Sequence, residues 1–383
     1  MKKFLPLLFA IFILIVACEP LTTTPDPLTL EPVTVTPADG TVTVTVTPTS
    51  NVVVLSDVSL PAGYGVTSSW FDLYFTNPLS AVASQKTGGL DGPLVDAIDS
   101  ARLSVDAAIY SLSLDSVRDA LLRAHQRGVQ VRVVMESDNM DRSDPQALKD
   151  AGIPMLGDRR EGLMHDKFVV IDQSEVWTGS MNFTDSGTYK DNNNLMFIRS
   201  TKAAEDYETE FNEMFVDDKF GSNVVPATPN PHVTVDGTAL DIYFSPDDHV
   251  QAALLDLLNN AQSSIYFLAY SFTSDSLGQV IRQKAAAGLA VAGVMETDQV
   301  KSNIGSEYDT FRAAGLDVHL DGNPGQMHHK VMIIDGQIVV MGSYNFTASA
   351  ENTNDENVIV IHNADIAAQY MAEFQRVYSV AQP

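Results

Sequence analysis

The chain has 383 residues, of which 45% are hydrophobic and 19% are charged, and its formal net charge is −26. This length allows two domains with cores of their own, and the composition is that of a folded globular protein. Because tight non-specific binding to nucleic acid normally depends on phosphate neutralisation by Lys and Arg, the acidic balance argues against a surface that binds polyanions throughout.

The N-terminal segment is typical of a secretion signal. Lys2 and Lys3 are followed by an apolar run over residues 4–17, and the run ends directly before Cys18. A small residue followed by Cys at this point resembles a bacterial lipobox, which implies cleavage before Cys18 and lipidation of that residue. An ordinary signal peptide with an incidental cysteine is the alternative, but the chain has a single cysteine. We expect a signal peptide over 1–17 and an extracytoplasmic, membrane-anchored bacterial lipoprotein, at the cell surface or in the periplasm.

Residues 18–69 are predicted to be a linker, because their first part is rich in Thr and Pro. Val and Thr alternate on either side of Ala38-Asp39-Gly40, which is compatible with a hairpin. A lone hairpin is marginally stable in water, so we expect a mostly disordered spacer that holds the globular part off the membrane.

Two similar halves follow, expected as domains over 70–222 and 223–383. The connection between the halves is expected over residues 223–236, which contain three prolines. Asp72-Leu73-Tyr74-Phe75 begins the first half, and Asp241-Ile242-Tyr243-Phe244 begins the second. Strands and helices are predicted to alternate in both. The first half is predicted to have strands over 105–111, 129–136 and 194–198 and a helix over 115–127; the second half is predicted to have strands over 265–271, 289–296 and 357–361 and a helix over 275–287. Alternating elements indicate the α/β class, as sandwiches built on a mixed sheet.

One pattern, H-x-K-x4-D-x6-G-S-x-N, occurs once in each half. All six positions of the second copy lie 163 residues after those of the first, and ten of the twenty aligned residues are identical. A duplicated domain whose copies pack about a pseudo-two-fold axis would bring both copies to one shared active site. The residues of the pattern are His165, Lys167, Asp172, Gly179, Ser180 and Asn182, and then His328, Lys330, Asp335, Gly342, Ser343 and Asn345.

These residue types suit a site for a tetrahedral anion. Side chains two apart on a strand share a face, which places each His beside its Lys. The two Lys neutralise charge, one imidazole attacks, and the other protonates the leaving oxygen. Because the lysines supply the electrostatic stabilisation, we expect no metal and no cofactor. Glycine in the Gly-Ser step permits a close approach of the chain.

Both copies resemble the HKD motif of the phospholipase D superfamily, and the resemblance covers most of the chain after about residue 70. It implies that His165 forms a phosphohistidine and that His328 is the general acid and base. It further implies that Lys167, Lys330, Ser180, Asn182, Ser343 and Asn345 hold the phosphate, whereas Asp172 and Asp335 support the motif.

The halves differ at one position that the resemblance makes important. Similar enzymes carry a downstream acid that contacts the histidine of the opposite copy. In the second half this acid matches Glu356, but the equivalent position in the first half is Asn193. We therefore expect Glu356 to support His165 and Asn193 to support His328 without a charge, which leaves His328 a stronger acid. Decay of the Asn193 site, with weak activity, is the alternative.

Two further pairs of repeated residues are expected at strand ends near the cleft. They either form a leaving-group pocket or are structural residues. They are Tyr110-Ser111 with Tyr270-Ser271, and Glu136 with Glu296. The remaining histidines follow no repeated pattern or metal-ligand spacing, and we assign no role to His125, His232, His249, His319, His329 and His362.

Three functions fit these residues. The first is a phospholipase D that hydrolyses phospholipid head groups, favoured slightly by the expected anchor and the acidic charge. The second is a metal-independent endonuclease, since Asn182-Phe183-Thr184 and Asn345-Phe346-Thr347 resemble secreted nucleases of the superfamily. The third is a catalytically inactive surface binding protein, which the two intact motifs disfavour. Because one chain carries both motifs, we expect a monomer acting on a phosphodiester substrate, phospholipid or nucleic acid.

Overall fold

A computed structural model describes residues 54–382 and two short strands before them. These strands, Thr34–Val35 (β1) and Val42–Thr43 (β2), pair antiparallel, at the place where the alternation of Val and Thr is compatible with a hairpin. The chain divides into Met1–Val52 and Val53–Pro383. The signal peptide, Cys18 and the remainder of the Thr/Pro-rich segment lie outside the described residues.

The first half contains a nine-stranded mixed sheet in the order β3-β4-β5-β13-β11-β10-β6-β8-β9. Two more strands, β7 and β12, pair with each other outside this sheet. The strands of the first half are Ser56–Leu60 (β3), Gly63–Thr67 (β4), Phe71–Thr76 (β5), Ser104–Ile109 (β6), Leu112–Ser113 (β7), Gln130–Met135 (β8), Met155–Gly157 (β9), Lys167–Ile171 (β10), Glu175–Gly179 (β11), Phe183–Thr184 (β12) and Asn194–Arg199 (β13). Its helices are Asp91–Ser100 (α1), Asp115–Gln126 (α2), Ser143–Asp150 (α3), Asp185–Tyr189 (α4) and Thr201–Phe215 (α5).

The second half contains an eight-stranded mixed sheet in the order β14-β15-β21-β20-β19-β16-β17-β18. Its strands are His232–Val235 (β14), Thr238–Ser245 (β15), Ser264–Ala269 (β16), Ala290–Met295 (β17), Asp317–Leu320 (β18), Lys330–Ile334 (β19), Ile338–Gly342 (β20) and Glu356–His362 (β21). Its helices are Val250–Asn260 (α6), Asp275–Ala286 (α7), Thr297–Ser302 (α8), Tyr308–Ala313 (α9), Ala348–Asn352 (α10) and Ala364–Tyr378 (α11).

Seven strands occur in the same spatial order in the two sheets. The order β5-β13-β11-β10-β6-β8-β9 in the first sheet corresponds to β15-β21-β20-β19-β16-β17-β18 in the second. The matching helices α2 and α7 end alike, because Gly128 and Gly288 follow them with positive φ angles of 87° and 100°. The predicted alternation of helices and strands, and the predicted duplication of the α/β sandwich, are confirmed.

The two halves share one hydrophobic core. A cluster of buried side chains from both lies between the sheets, with α5 and α11 contributing to it, and each sheet covers a further cluster on its other face. Tyr207 of α5 packs edge-on against Phe244 of β15 with ring centroids 5.0 Å apart, and Phe75 of β5 packs on Tyr370 of α11 at 5.1 Å. Because buried aromatic surface is costly to expose, this shared layer holds the halves in one arrangement.

Two expected boundaries need correction. Residues 56–67 were expected in the linker, but β3 and β4 extend the first sheet beyond β5. Their backbone groups pair with β5, and Val66 is buried in the shared core, so this segment belongs to the folded part. The connection between halves was expected over 223–236, yet residues 232–235 form β14, the edge strand of the second sheet.

Candidate active site

Each HKD motif begins just before a central strand and pairs with the opposite half. His165 and His328 were expected on strands, but the strands start two residues later, at Lys167 and Lys330. The backbone N–H of His165 donates to Asp355 O at 2.9 Å, and that of His328 donates to Asn192 O at 3.0 Å. These two contacts are equivalent by the repeat, and they bring both motifs to the same seam between the sheets.

Each imidazole contacts a side chain from the other half. Nδ1 of His165 lies 2.8 Å from Oε2 of Glu356, and Nδ1 of His328 lies 2.9 Å from Oδ1 of Asn193. These are the crossed contacts expected from the repeat. Nδ1 of His328 also lies 3.1 Å from the backbone oxygen of Ser180. The catalytic roles assigned to the four residues remain predictions.

The partners determine which imidazole nitrogen carries the proton. Asn193 donates from Nδ2 to Gly187 O at 2.8 Å, so its Oδ1 is the atom that faces His328. Both neighbours of the His328 Nδ1 are therefore acceptors, and Nδ1 must be the donor. The same holds for His165 against the Glu356 carboxylate. In each ring Nε2 is left for chemistry with a substrate.

A lysine and a tyrosine accompany each histidine. Lys330 donates to His328 O at 2.8 Å, and Lys167 donates to His165 O in the same way. The Tyr110 ring packs against His165 with centroids 4.8 Å apart, and Tyr270 packs against His328 at 4.6 Å. The ammonium groups lie 4.9 Å and 4.5 Å from the centroids of these tyrosine rings. The tyrosines at the repeated Tyr-Ser positions thus pack against the His-Lys pair of each motif.

Burial shifts the pKa values of both motif histidines, both motif lysines and Glu356. Desolvation, followed by the charges of the two lysines, holds the pKa values of His165 and His328 well below the usual range. Burial lowers the pKa of Lys167 to about 7, although Glu356 and Asp166 oppose the shift, and lowers that of Lys330 well below its usual range. Burial raises the pKa of Glu356 to about 7, against the lysines. Such clustered perturbation is typical of an active site, and a bound phosphate would restore the protonated forms of the bases.

The predicted phosphate contacts divide into two groups. Asn182 and Asn345 are half-buried, and each has a buried Oδ1 without a partner among the described residues. The hydroxyls of Ser180 and Ser343 are instead fully buried in local hydrogen bonds. Ser180 Oγ donates to Asn193 Oδ1 at 2.8 Å, and Ser343 Oγ accepts from Asn357 N at 3.0 Å. Both serine hydroxyls are thus engaged with residues of the cleft, and their predicted contact with the phosphate stays a prediction.

Glycine precedes each of these serines for a steric reason. A Cβ on Gly179 would lie 2.4 Å from Asn194 O, and a Cβ on Gly342 would lie 2.2 Å from Asn357 O. Any side chain here would separate neighbouring strands, so the close approach expected for the Gly-Ser step is present.

Asp172 and Asp335 lie at the far ends of the motif strands, where they hold the turns before β6 and β16. Asp172 accepts from the backbone N–H of Leu103 at 2.7 Å, and Asp335 accepts from Ser263 N at 2.7 Å and Ser264 N at 3.0 Å. Burial raises the pKa of Asp335, but these backbone donors outweigh it and the net shift is downward. Both carboxylates bind the backbone beside the motif strand, and their stabilising role stays a prediction.

Glu136 and Glu296 are structural residues of the motif loops. Glu136 accepts from Met164 N at 3.0 Å, and Glu296 accepts from Met327 N at 2.8 Å. Each therefore holds the residue directly before a motif histidine. Among the described residues, no group of three or more His, Cys, Asp and Glu is arranged to bind a metal ion.

A second pair of crossed contacts lies behind the histidines, and the sequence reasoning missed it. Asn357 Nδ2 donates to Asp166 Oδ1 at 2.6 Å, and Asn194 Nδ2 lies 3.1 Å from His329 Nδ1. His329 in turn lies 2.8 Å from Oε1 of the buried Glu373. The repeat could have revealed these contacts. Asn194 and Asn357 are identical residues 163 positions apart, and Asp166 and His329 are separated by the same offset.

Comparison with known proteins shows the family. The profile described as "Cardiolipin synthase, PLD-like domain" matches residues 94–215 and 254–378, which is more than half of the chain. The "Phospholipase D" of Rickettsia bellii (strain RML369-C) is 34% identical over 128 residues, covering 33% of this chain and 63% of that protein. The "Mitochondrial cardiolipin hydrolase" of Homo sapiens is 32% identical over 138 residues, covering 35% and 54%. The chain thus spans less than two thirds of these relatives.

A solved structure supports the fold independently. The phosphatidylserine synthase of Haemophilus influenzae Rd KW20 has a TM-score of 0.61 and covers 76% of this chain and 84% of its own, at 15% identity, which concerns the fold alone. No helix in the described part of the chain has the length and apolarity needed to cross a bilayer. With both halves matched by the profile and each carrying a complete motif, the chain belongs to the phospholipase D-like family.

Proposed function

We propose that the protein is a phosphodiesterase of the phospholipase D type that hydrolyses the head-group bond of a phospholipid through a phosphohistidine. The observation that carries the proposal is the pair of crossed contacts, Glu356 on His165 and Asn193 on His328. They orient two imidazoles from different halves towards one seam and give them different partners, one charged and one neutral. Two groups with such different environments suit a nucleophile and an acid.

In the first step, Nε2 of His165 attacks phosphorus while the bond from phosphorus to the leaving oxygen breaks. His165 gains positive charge, which the Glu356 carboxylate stabilises across the Nδ1–H bond. The leaving oxygen takes the Nε2 proton of His328, which thereby becomes neutral. The substrate's negative charge favours the protonated form of His328 beforehand, opposing the desolvation that lowers its pKa.

In the second step, neutral His328 takes a proton from water, and the oxygen of that water attacks phosphorus. The bond between phosphorus and Nε2 of His165 breaks, so His165 returns to its neutral state and His328 to its protonated state. Lys167 and Lys330 stabilise the charge on the non-bridging oxygens through both steps, and the half-buried amides of Asn182 and Asn345 orient those oxygens.

Lipid is the proposed substrate for two reasons. Relatives are named for phospholipid or cardiolipin hydrolysis, and a net charge of −26 opposes the approach of a polyanionic nucleic acid. An anchor at Cys18 would hold the enzyme beside such a substrate. Replacement by Cys18→Ser in the full chain should move the protein from the membrane fraction to the soluble fraction; unchanged fractionation contradicts the anchor.

The decisive experiment compares substrates with and without the proposed nucleophile. The protein without residues 1–18 and its His165→Ala variant are incubated in EDTA with phospholipid vesicles, plasmid DNA and RNA. We expect release of phosphatidate by the first protein only. Cleavage of nucleic acid without phosphatidate release would replace the lipid assignment by the endonuclease, and no cleavage of any phosphodiester would indicate a surface binding protein. Acid-labile phosphate attached to His165 after rapid quenching tests the intermediate.

A further inference from the structure

A cavity of about 420 Å³ opens beside the second motif. Its lining includes Tyr270, Ser271, Gln299, Asn303 and Asn345, with Ile304 at its edge. The Tyr270 ring lies 4.6 Å from that of His328, and Asn345 belongs to the motif itself. Leu163, two residues before His165, also lines the cavity. Because His328 protonates the leaving oxygen in the proposed mechanism, we expect the leaving group in the cavity that adjoins Tyr270, the tyrosine packed on His328.

The cavity is polar but carries no formal charge. Among its lining residues there is no Lys, Arg, Asp, Glu or His. Gln299 Nε2 donates to the Tyr270 hydroxyl at 3.1 Å, and Asn303 Nδ2 donates to Ser271 Oγ at 2.8 Å and to Gln299 Oε1 at 3.1 Å. Because both hydroxyls act as acceptors, each keeps a proton to donate, and Asn303 Oδ1 is left to accept.

The equivalent position in the first half differs in charge. In the first half, Ser111 Oγ accepts from Nη1 of Arg142 at 3.1 Å. In the second half, the equivalent Ser271 Oγ accepts from Nδ2 of Asn303. A guanidinium beside one motif thus corresponds to a neutral amide beside the other. The neutrality of the cavity is therefore a property of its own residues and not of the duplicated fold.

This lining excludes several classes of leaving group. An ammonium group needs a carboxylate or a free aromatic face, but the Tyr270 ring already faces Lys330 Nζ at 4.5 Å. A carboxylate, or the next phosphate of a nucleic acid, needs a cation, and none lines the cavity. Hydroxyls that both donate and accept match the free groups of Tyr270, Ser271 and Asn303.

We propose that this cavity binds a neutral, polyhydroxylated leaving alcohol of the glycerol type, and that Asn303 and Gln299 determine this specificity. The lipid source is favoured by Ile304, a residue that lines the cavity and is 99% exposed, since it offers an apolar contact beside the head group. The inference rests on the proposed phosphodiesterase and names the leaving group at the same site.

The test uses vesicles of phosphatidylglycerol and of phosphatidylcholine with the wild type, Asn303→Asp and Asn260→Asp. Asn260 ends α6, on the side of β16 away from the motif, so its variant adds the same charge outside the cavity. We expect the wild type to prefer the glycerol head group, and Asn303→Asp to reduce that preference about tenfold, mainly through KM, since a group that hydrogen-bonds a substrate hydroxyl is being replaced by a charge. Asn260→Asp should keep the wild-type preference.

A phosphodiester without a lipid head group separates failure of the inference from failure of the proposed function. Bis(p-nitrophenyl) phosphate has no alcohol of this type, and its cleavage reports the phosphodiesterase alone. If it is cleaved in a His165-dependent manner while phosphatidylcholine is preferred, or while Asn303→Asp leaves the ratio unchanged, the cavity assignment is wrong. Nicking of plasmid DNA with no lipid turnover also overturns it. If bis(p-nitrophenyl) phosphate is not cleaved, both the proposed phosphodiesterase activity and the cavity assignment are wrong.

Discussion

Asn193 Oδ1 contacts His328 Nδ1 at 2.9 Å, at the position where the Glu356 carboxylate contacts His165 in the other half. The two contacts have the same geometry but differ by one formal charge. A neutral acceptor stabilises an imidazolium less than a carboxylate does, so we expect His328 to be the stronger acid of the pair. The structure thus places the pseudo-symmetric halves in different electrostatic states.

Asn193→Glu should change the pH dependence of hydrolysis. A carboxylate beside Nδ1 favours the imidazolium and therefore raises the pKa of His328. Because the general acid must be protonated, activity falls as pH rises through this pKa, and the variant should move that limb of the kcat/KM profile to higher pH. If the high-pH limb of the profile does not move, Asn193 does not influence the pKa of His328 as proposed. Asn260→Glu, which adds the same charge beyond the other end of β16, should leave the profile unchanged.

Ser180→Ala and Asn182→Ala should differ in their kinetic effects. Ser180 Oγ holds Asn193 Oδ1 at 2.8 Å and accepts from Asn194 N at 3.1 Å, so its loss disturbs His328 indirectly. We expect kcat to fall by about tenfold with KM unchanged, and stability to fall by about 1–3 kcal/mol. Loss of Asn182 should instead raise KM for the phosphodiester. The same KM increase in both variants would instead support a direct contact of Ser180 with the phosphate.

Asp335→Asn should destabilise the fold in a pH-dependent way. The folded-state pKa of Asp335 lies below its ordinary value, because backbone N–H groups favour the carboxylate against the effect of burial. Its stabilisation is therefore present above the unfolded-state pKa and is lost as pH falls through the folded-state pKa. Urea unfolding at neutral pH should show a loss of about 1–3 kcal/mol for the variant. The difference should disappear in strong acid; a constant difference would contradict the electrostatic origin.

Glu373→Gln should be strongly destabilising. Its buried carboxylate contacts His329 at 2.8 Å and Arg376 at 2.7 Å, and it also accepts from the Tyr64 hydroxyl of β4. Removing one member of a buried charged network leaves the others unpaired, at a cost of about 3–5 kcal/mol. Thermal unfolding measures this. Glu205→Gln, an exposed position of α5, is the matched control and should unfold like the wild type.

Much of the site could be predicted because duplication is visible in the sequence. The offset of 163 residues aligns Glu356 with Asn193 as well as the two motifs, so the sequence alone predicts a crossed pair of contacts. The expected end of the linker was wrong because the repeat gives no information about the segment before β5. The strands β3 and β4 have no counterpart of equal length before β15, and their pairing with β5 is a tertiary choice that local pattern does not encode.

The sequence by itself determined the α/β class, the two motifs and the identity of the paired residues, because a repeated spacing can be recognised without any three-dimensional distance. Only the tertiary structure decided which groups face the seam. It directs Ser180 and Ser343 into local hydrogen bonds, connects His329 to Glu373 across the shared core, and leaves a neutral cavity beside His328. These outcomes depend on how two sheets pack through α5 and α11, and packing joins residues that lie far apart in the chain.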